Sequence, residues 1–374
     1  MTIKQLLVEK ILPQVRKPAQ YLGTEWNSVH KDFDAVPARM VFAFPDLYEV
    51  GMSHLGLQIL YGLVNQREDC LLERSFAPAV DMEAELRRAG LPLFSLESHR
   101  PLKDFDVIGF TLQYELSFSN VLNMLDLAGL PLRSADRQDD QPLVIAGGPA
   151  AYNPEPLAPF IDAFLIGEGE EALLEILDVV GEVKGDKGRA SRSQLLERLV
   201  EIPGVYIPSY YRAEYNEQGW YKGIKPIHPK APERVQRRVV RELDSAYFPV
   251  SQLVPISEAV HERGMLEIFR GCSRGCRFCQ AGVIYRPVRE RTPETLLAAA
   301  RDIIKNTGFE EVSLISLSSL DYGALDQLLP QLTQGCEATR IGISLPSLRV
   351  DSFSVKTAQG LPGRRTSVTF APEA

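Results

Sequence analysis

Three of the five cysteines in this 374-residue chain lie within eight residues of one another. Cys272, Cys276 and Cys279 form a C-x3-C-x2-C pattern in the stretch "RGCSRGCRFCQAG". Thiolates are soft ligands that bind zinc ions and iron–sulfur clusters. A structural zinc site needs a fourth ligand, and the nearest ones, His261 and Cys336, lack zinc-finger spacing. Three ligands on a four-iron cluster would leave one iron open, and catalysis at a metal needs such an open position.

Arginines surround the cysteines, and they have two interpretations. They either favour deprotonated thiols or form a solvated basic surface, which would suit RNA. The chain as a whole has a net charge of −8, but residues 1–180 hold 14 Lys and Arg against 27 Asp and Glu, which argues against nucleic-acid binding there. The arginines in question are Arg270, Arg274, Arg277, Arg286, Arg289 and Arg291.

The composition is that of an ordinary globular protein, with 45% hydrophobic and 24% charged residues. No apolar run reaches the roughly 18 residues that a membrane span needs. The N-terminus carries charges throughout and lacks a small-residue cleavage site. These features predict a cytoplasmic protein without a membrane partner, in which grouped cysteines are metal ligands rather than disulfide partners.

Residues 1–182 predict an open α/β sheet with an N-terminal helical extension. Short runs rich in Val, Ile and Phe alternate with amphipathic stretches, which favours parallel pairing of the strands. The predicted strands are 39–44, 106–113, 142–148 and 162–168, and the predicted helices are 53–66, 117–130 and 170–182.

The remaining chain predicts two further parts. Residues 183–264 are interpreted as a linker with a Tyr-rich hairpin at 204–227, turning at "NEQG". Residues 265–374 repeat the alternation of strands and helices, with strands at 265–271, 310–319, 339–348 and 365–374. The last strand has no helix after it, from which we infer a fragment of a longer protein.

The cysteine pattern resembles the signature of the radical S-adenosylmethionine (SAM) enzymes. The likeness rests on the spacing, on the aromatic Phe278 before the last cysteine, and on the preceding predicted strand. It implies a partial β/α barrel of the TIM type, incomplete at its C-terminus, and a 4Fe-4S cluster on Cys272, Cys276 and Cys279. It also implies that SAM occupies the open iron. An external electron donor would then drive its cleavage to methionine and a 5′-deoxyadenosyl radical.

The same resemblance implies further SAM contacts at the ends of the predicted strands. In the family, a Gly-rich turn after the second strand holds the SAM amino group, and "SLSSLD" takes its place here. Each serine has a turn or capping role as its alternative. The residues placed near SAM by the resemblance, together with the aromatic Phe278, are Ser316, Ser318, Ser319, Ser344 and Glu373.

The first domain resembles the cobalamin-binding-type, Rossmann-like domain found before the radical core in one branch of the superfamily. The matching stretches are "GGPAAYNPEPL" and "DAFLIGEGE". The cobalamin motif Asp-x-His-x-x-Gly matches Asp46, Tyr48 and Gly51, with Tyr48 in place of the cobalt-ligating histidine. Either cobalamin binds without a lower ligand from the protein, or the domain keeps the fold without the cofactor. The other strand-end residues assigned to this site are Thr111, Gly147 and Gly148.

Three functions remain open at this point. The first is a radical SAM enzyme of unknown substrate, including cobalamin-dependent methyl transfer. The second is a methylthiotransferase acting on tRNA or a ribosomal protein; those enzymes carry three further cluster cysteines in their N-terminal domain, where this chain has only Cys70. The third is a non-catalytic iron–sulfur or zinc protein that binds RNA through its arginines.

Overall fold

The computed structural model describes residues 3–184, 191–339, 341–350 and 368–371, with the backbone alone for 336–339, 368–369 and 371. The chain divides into two compact units, which are described separately. Unit 1 comprises residues 1–24 and 28–239, and unit 2 comprises residues 25–27 and 240–374. The boundary falls inside the segment 183–264 that the sequence predicts as a connection. The proposed division into three parts stays a prediction.

Among residues 3–184 and 191–239, six strands form one sheet in the order β2-β1-β3-β4-β5-β6. Neighbouring strands from β2 to β5 are parallel, and β6 runs antiparallel to β5. A separate hairpin pairs β7 with β8. The strands are β1 (Ala38–Phe44), β2 (Cys70–Phe76), β3 (Val107–Thr111), β4 (Leu143–Gly147), β5 (Ala163–Leu165), β6 (Val205–Tyr206), β7 (Tyr211–Tyr215) and β8 (Tyr221–Pro226).

Helices cover this sheet because its central strands are apolar on both faces. In β1, Val41 and Ala43 share a core with Leu86 and Met124 on one side. On the other side, the helices Leu55–Asn65 and Glu170–Lys184 contact each other. The first also contacts β2, and the second contacts β1. The helices are α1 (Ile3–Leu6), α2 (Tyr48–Gly51), α3 (Leu55–Asn65), α4 (Val80–Ala89), α5 (Phe118–Leu127), α6 (Glu170–Lys184) and α7 (Arg192–Leu199).

The order 2-1-3-4-5 is that of a doubly wound sheet whose connections reverse direction between β1 and β3. Ligands of such sheets bind at the carboxyl ends of the strands beside this switch point. The loops that follow β1 and β3 therefore mark the place where a ligand of unit 1 would bind.

In the described part of unit 2, four parallel strands form a sheet in the order β14-β13-β12-β9, and β10 pairs antiparallel with β11. Helices α9 and α10 pack on the sheet through Leu296, Ile303 and Leu328. The elements are β9 (Gly264–Glu267), β10 (Phe269–Arg270), α8 (Ala281–Ile284), β11 (Arg289–Glu290), α9 (Pro293–Thr307), β12 (Glu311–Ile315), α10 (Leu325–Thr339), β13 (Gly342–Arg349) and β14 (Val368–Ala371).

The outer edge of β9 is closed by a side chain. Gln252 accepts a hydrogen bond from the Met265 N–H at 3.0 Å and donates one to the Met265 carbonyl at 2.7 Å. Gln252 is buried, as are Val240 and Leu253 nearby. This part of the predicted surface linker is thus packed into unit 2.

The predicted α/β class with parallel strands is confirmed, while several predicted details need correction. Strand β2 and helix α4 are absent from the sequence prediction, and helix α7 begins in the segment 183–193 that was predicted as an exposed connection. Among the described residues, no helix combines the length and the apolar character needed to cross a membrane.

Candidate metal centre

The three cysteines lie on one loop at the carboxyl end of the strand region β9–β10. Loop 271–280 leaves β10, leads into α8, and returns to the sheet through β11. The antiparallel pairs Phe269–Glu290 and Arg270–Arg289 tie both ends of this excursion together. The loop is therefore anchored at its base, and its thiols lie at the end of the sheet where β/α folds place their active sites.

Gly271 lets the loop start close to the chain that returns. Its φ of +95° is in the left-handed region, and a Cβ there would lie 2.5 Å from the Pro287 carbonyl oxygen. Any other residue would push these backbone segments apart. Further along the loop, a turn forms where the Cys279 N–H donates to the Cys276 carbonyl oxygen at 3.1 Å.

The three cysteines form no disulfide and are partly buried. Among the described residues, no three His, Cys, Asp or Glu side chains converge as ligands of a single metal ion. Three cysteine thiols on one short loop are soft donors of the kind that bind iron–sulfur clusters. The donor set therefore fits a cluster with three protein ligands.

The two residues considered as a fourth ligand lie at the other end of the sheet. His261 precedes the amino end of β9, and its Nδ1 lies 3.2 Å from the Arg263 guanidinium. Cys336 is near the end of α10, which leads to the amino end of β13. Its side chain lies outside the described residues. The course of the backbone therefore places both residues at the end of the sheet opposite to loop 271–280.

Most of the arginines near the cysteines are held by other groups of unit 2, and two of them brace the loop. Arg274 donates to Asp321 at 2.9 Å, and Arg286 donates to the carbonyl oxygens of Cys272 and Arg274. The Arg274 hydrogen bond is the main cause that lowers the pKa of Asp321. Three more are held by groups of unit 2: Arg270 by Glu267, Arg289 by the Val240 carbonyl and Arg291 by the Ala246 carbonyl.

The loop exposes an aromatic and a charged side chain next to Cys279. Phe278 is 69% exposed, and Arg277 is exposed beside it. Exposure of a large aromatic ring next to the thiols leaves it available for a flat ligand. Its assignment to SAM stays a prediction.

The serines assigned to SAM are largely engaged by the protein itself. Ser319 is buried and donates to the Pro346 carbonyl oxygen at 2.7 Å, while Ser316 lies 3.0 Å from the Ser319 hydroxyl. Ser318 is buried too. The Ser319 hydroxyl, with Ser316 beside it, fixes the loop after β12 against β13 and so shapes the carboxyl end of the sheet.

The position of Ser344 in its strand differs from the sequence prediction. Strand β13 continues to Arg349, so Ser344 lies in its first half and not at its carboxyl end as the sequence suggested. There its hydroxyl accepts a hydrogen bond from Arg263 at 3.1 Å, at the amino ends of the strands. Glu373 lies outside the described residues.

Unit 1 places the residues of the cobalamin-like motif beside the β1–β3 switch point. Asp46 follows β1, and it accepts a hydrogen bond from the Tyr114 hydroxyl at 2.7 Å. Thr111 ends β3, and its hydroxyl accepts from the Gln113 amide. The loops after β1 and β3 are therefore bridged by their own side chains.

Tyr48 does not take over the role of the missing histidine. It is 3% exposed, and its ring packs against Phe76 at 5.4 Å between ring centroids. Gly51 is needed for the same packing, because a Cβ there would lie 2.2 Å from the Phe76 ring. Both residues serve the core of unit 1.

His54 and the Gly-Gly turn after β4 are also engaged within unit 1. The His54 Nδ1 accepts from the Leu57 N–H at 3.1 Å, and a side-chain hydrogen bond joins the imidazole to Gln113. Burial lowers the pKa of His54 to about 4. At Gly148, where φ is +97°, a Cβ would lie 2.8 Å from the Leu112 carbonyl oxygen. A Cβ at Gly147 would make only ordinary contacts.

Sequence reasoning missed one residue beside the thiols. Arg349, the last residue of β13, has its Nη1 3.5 Å from the Sγ of Cys276. The two residues are 73 positions apart, and the only local signal is that Arg349 follows a predicted strand end.

Comparison with known proteins supports this site and its scaffold. Residues 56–208 match the family "Radical SAM proteins, N-terminal", and residues 266–362 match the "Radical SAM superfamily". The second match includes all three cysteines, and the two together span about two thirds of the chain.

Two archaeal relatives are similar over much of the chain. An uncharacterised protein of Methanocaldococcus jannaschii, MJ0966, is 25% identical over 334 residues, which is 88% of this chain and 59% of the relative. An uncharacterised protein of Methanopyrus kandleri, MK0932, is 27% identical over 225 residues, which is 57% of this chain and 41% of the relative. The chain thus spans about half the length of these relatives.

A solved structure shares the fold. It is the radical SAM methyltransferase TsrM from Kitasatospora setae, with cobalamin and a 4Fe-4S cluster bound. The TM-score is 0.50 at 13% identity, and the match covers 86% of this chain and 58% of that one. From the two family matches and the cysteine loop that one of them contains, the chain belongs to the radical SAM superfamily, in a group with an N-terminal α/β domain.

Proposed function

We propose that the protein is a radical SAM enzyme that binds a 4Fe-4S cluster through Cys272, Cys276 and Cys279. The observation that carries the proposal is the cysteine loop itself. It presents three cysteines without a disulfide at the carboxyl end of a parallel sheet, inside the segment that matches the superfamily. Its base is fixed by the pairing of β10 with β11.

SAM is the proposed second cofactor, at the iron without a cysteine. With the cluster it supplies reductive cleavage to methionine and a 5′-deoxyadenosyl radical. The roles of the chain are to hold the thiols and to offer Phe278 as a surface for the adenine ring. Ser316, Ser318 and Ser319 shape the neighbouring strand ends. The electron donor would be an external protein, and the compartment is proposed to be the cytoplasm.

Unit 1 is proposed to bind cobalamin at the β1–β3 switch point, which would make methyl transfer the reaction. The fold supports this, because the strand order places a ligand at the loops after β1 and β3. The likeness to TsrM also supports it. Tyr48 is buried, and the His54 imidazole has the Leu57 N–H and the Gln113 side chain as hydrogen-bond partners, so neither residue is proposed as a lower ligand of cobalt.

The competing functions have less support from the site. RNA binding through the arginines would need free guanidinium groups, yet five of the six are held by carboxylates or carbonyls of unit 2. A methylthiotransferase acting on tRNA or a ribosomal protein would need further cluster cysteines in unit 1, where Cys70 is buried in β2.

Anaerobic reconstitution of the full-length protein with iron and sulfide tests the proposal. We expect about four irons per chain and release of 5′-deoxyadenosine from SAM after reduction. Cys276→Ala should lose most of the iron, whereas the matched control Cys70→Ala should keep it. A tightly bound zinc ion in place of iron, or iron that survives in Cys276→Ala, would contradict the cluster assignment.

Growth with cobalamin separates the two branches of the proposal. A protein that binds cobalamin should show its visible absorption and about one cobalt per chain. A protein that contains iron but no cobalt would still support the proposed radical SAM activity. It would contradict methyl transfer through cobalamin.

A further inference from the structure

The thiol of Cys276 has a cationic neighbour from outside its own loop. The Arg349 Nη1 lies 3.5 Å from the Cys276 Sγ, an ordinary distance for an N–H donor and a sulfur acceptor. Hydrogen bonds to ligand sulfurs and nearby charge are two of the levers that set the potential of an iron–sulfur cluster. The contact therefore allows a residue at the end of β13 to influence the reduction potential of the proposed cluster.

An irregularity in β13 places Arg349 on this side of the sheet. Side chains of a regular strand alternate between faces, so Leu345 and Leu348, three positions apart, would point in opposite directions. Both are nevertheless buried in the core that faces the helices. The register against β14 shifts between them, and Ser347 has a φ of +59°.

The shift has the form of a β-bulge, which inserts one extra residue and re-aims the residues after it. On β14 only two positions separate the partners of Leu345 and Leu348. After the bulge, Arg349 falls on the face opposite to Leu348. Without the extra residue, Arg349 would point towards the helices, away from the thiols.

Asp321 holds a second arginine of the same site. It accepts the Arg274 guanidinium at 2.9 Å, and it also interacts electrostatically with Arg349. One carboxylate thus lies between an arginine of the cysteine loop and the arginine on Cys276. Its negative charge offsets part of the positive charge near the sulfur.

We propose that Arg349 is a positioning residue that donates a hydrogen bond to the Cys276 thiolate and makes the cluster easier to reduce, with Asp321 opposing its charge. The inference rests on the proposed function, because it requires a cluster on the three cysteines. Reduction adds negative charge to the cluster, and a cation beside a ligand sulfur stabilises that charge.

A redox titration followed by electron paramagnetic resonance tests this in the reconstituted full-length protein without SAM. In Arg349→Gln, the ratio of reduced to oxidised cluster at a fixed potential should fall about tenfold, which corresponds to about 59 mV for a one-electron couple. Arg349→Lys, which keeps the charge, should show a smaller fall. Asp321→Asn should shift the ratio in the opposite direction.

Arg263→Gln is the matched control, since Arg263 also pairs with a carboxylate, Glu311 at 2.9 Å, but at the amino ends of the strands. Its ratio should equal that of the unmodified protein. An unchanged ratio in Arg349→Gln, or an equal fall in Arg263→Gln, would overturn the inference. Should Arg349→Gln lose its iron, Asp321→Asn decides: a raised ratio supports the inference and an unchanged ratio overturns it.

Failure of the proposed function has a different signature. If the unmodified protein takes up no iron, the cluster assignment is wrong before any variant is compared. If it holds about four irons and only the Arg349 comparison fails, the cluster assignment stands.

Discussion

The carboxyl ends of the two parallel sheets differ in what their side chains do. In unit 1, Asp46 bonds to Tyr114, and Tyr48 packs against Phe76. In unit 2, Cys272, Cys276 and Cys279 form no disulfide and lie on an anchored loop, beside an exposed Phe278. Topology places loops at the same end in both sheets. Whether a loop can bind a metal depends on how many of its side chains are already engaged in hydrogen bonds or packing within the protein.

A pair of glycine substitutions should have the largest effect on this comparison. Gly271 and Gly148 both have φ near +95° and face a backbone carbonyl. Gly271→Ala should displace the cysteine loop and lose more than half of the bound iron, measured after reconstitution. Gly148→Ala should keep its iron and lower the free energy of unfolding by about 2 kcal/mol, measured by denaturant unfolding.

The opposite result for iron content would contradict the proposal that only the loop of unit 2 supports the metal. If Gly148→Ala lost its iron while Gly271→Ala kept it, the loop of unit 1 would be the one that supports the metal. Gly308→Ala is a suitable control, because Gly308 has φ of +73° but a Cβ there would meet nothing within 4 Å.

His54 gives unit 1 a pH dependence. Its pKa of about 4 in the folded state is below its ordinary value, because burial disfavours the charged imidazole. The unfolded chain therefore binds the proton more readily, and stability should fall as the pH drops from about 6.5 towards 4. His54→Asn keeps an acceptor for the Leu57 N–H without a titrating group.

The expected difference between the two proteins is of the order of 2 kcal/mol at pH 4.5 relative to pH 7.5. Denaturant unfolding at several pH values measures it. Parallel curves for both proteins would mean that His54 is as readily protonated in the folded protein as in the unfolded chain. Iron content should not differ between the two proteins at neutral pH.

Substitutions of Ser347 should have the smallest effect on the free energy of unfolding. The left-handed conformation of Ser347 costs an ordinary residue about 1 kcal/mol, so Ser347→Gly should raise the free energy of unfolding by up to that amount. Ser347→Val should lower it, since a β-branched side chain fits that conformation poorly. Equal stability of all three proteins would argue against the bulge.

The cysteine loop and most strands were predictable because their signals are local. Ala38–Phe44 is an apolar run, and the three cysteines are spaced by their own short motif. Strand β2 was missed because it contains Glu73 and Arg74, which look like surface residues. Both are buried, and Arg74 is neutralised by Glu97, 23 positions away.

Contacts at long sequence separation explain the remaining errors. The sequence left open whether the arginines near the cysteines form a basic surface or act on the thiols, because their partners, such as Asp321 and the Val240 carbonyl, lie up to 49 positions away. Arg349 could not be assigned from its own neighbourhood either, since its direction depends on the bulge at Ser347. A regular alternation along β13 would have predicted the opposite face.

The amide of Gln252 substitutes for a neighbouring strand at one position of β9. An uncovered edge offers its N–H and carbonyl groups to any extended peptide, which is a common route to aggregation. At Met265 these groups are already paired. At this position the strand that leads to the cysteine loop therefore offers no open pair of backbone groups to a peptide from another chain.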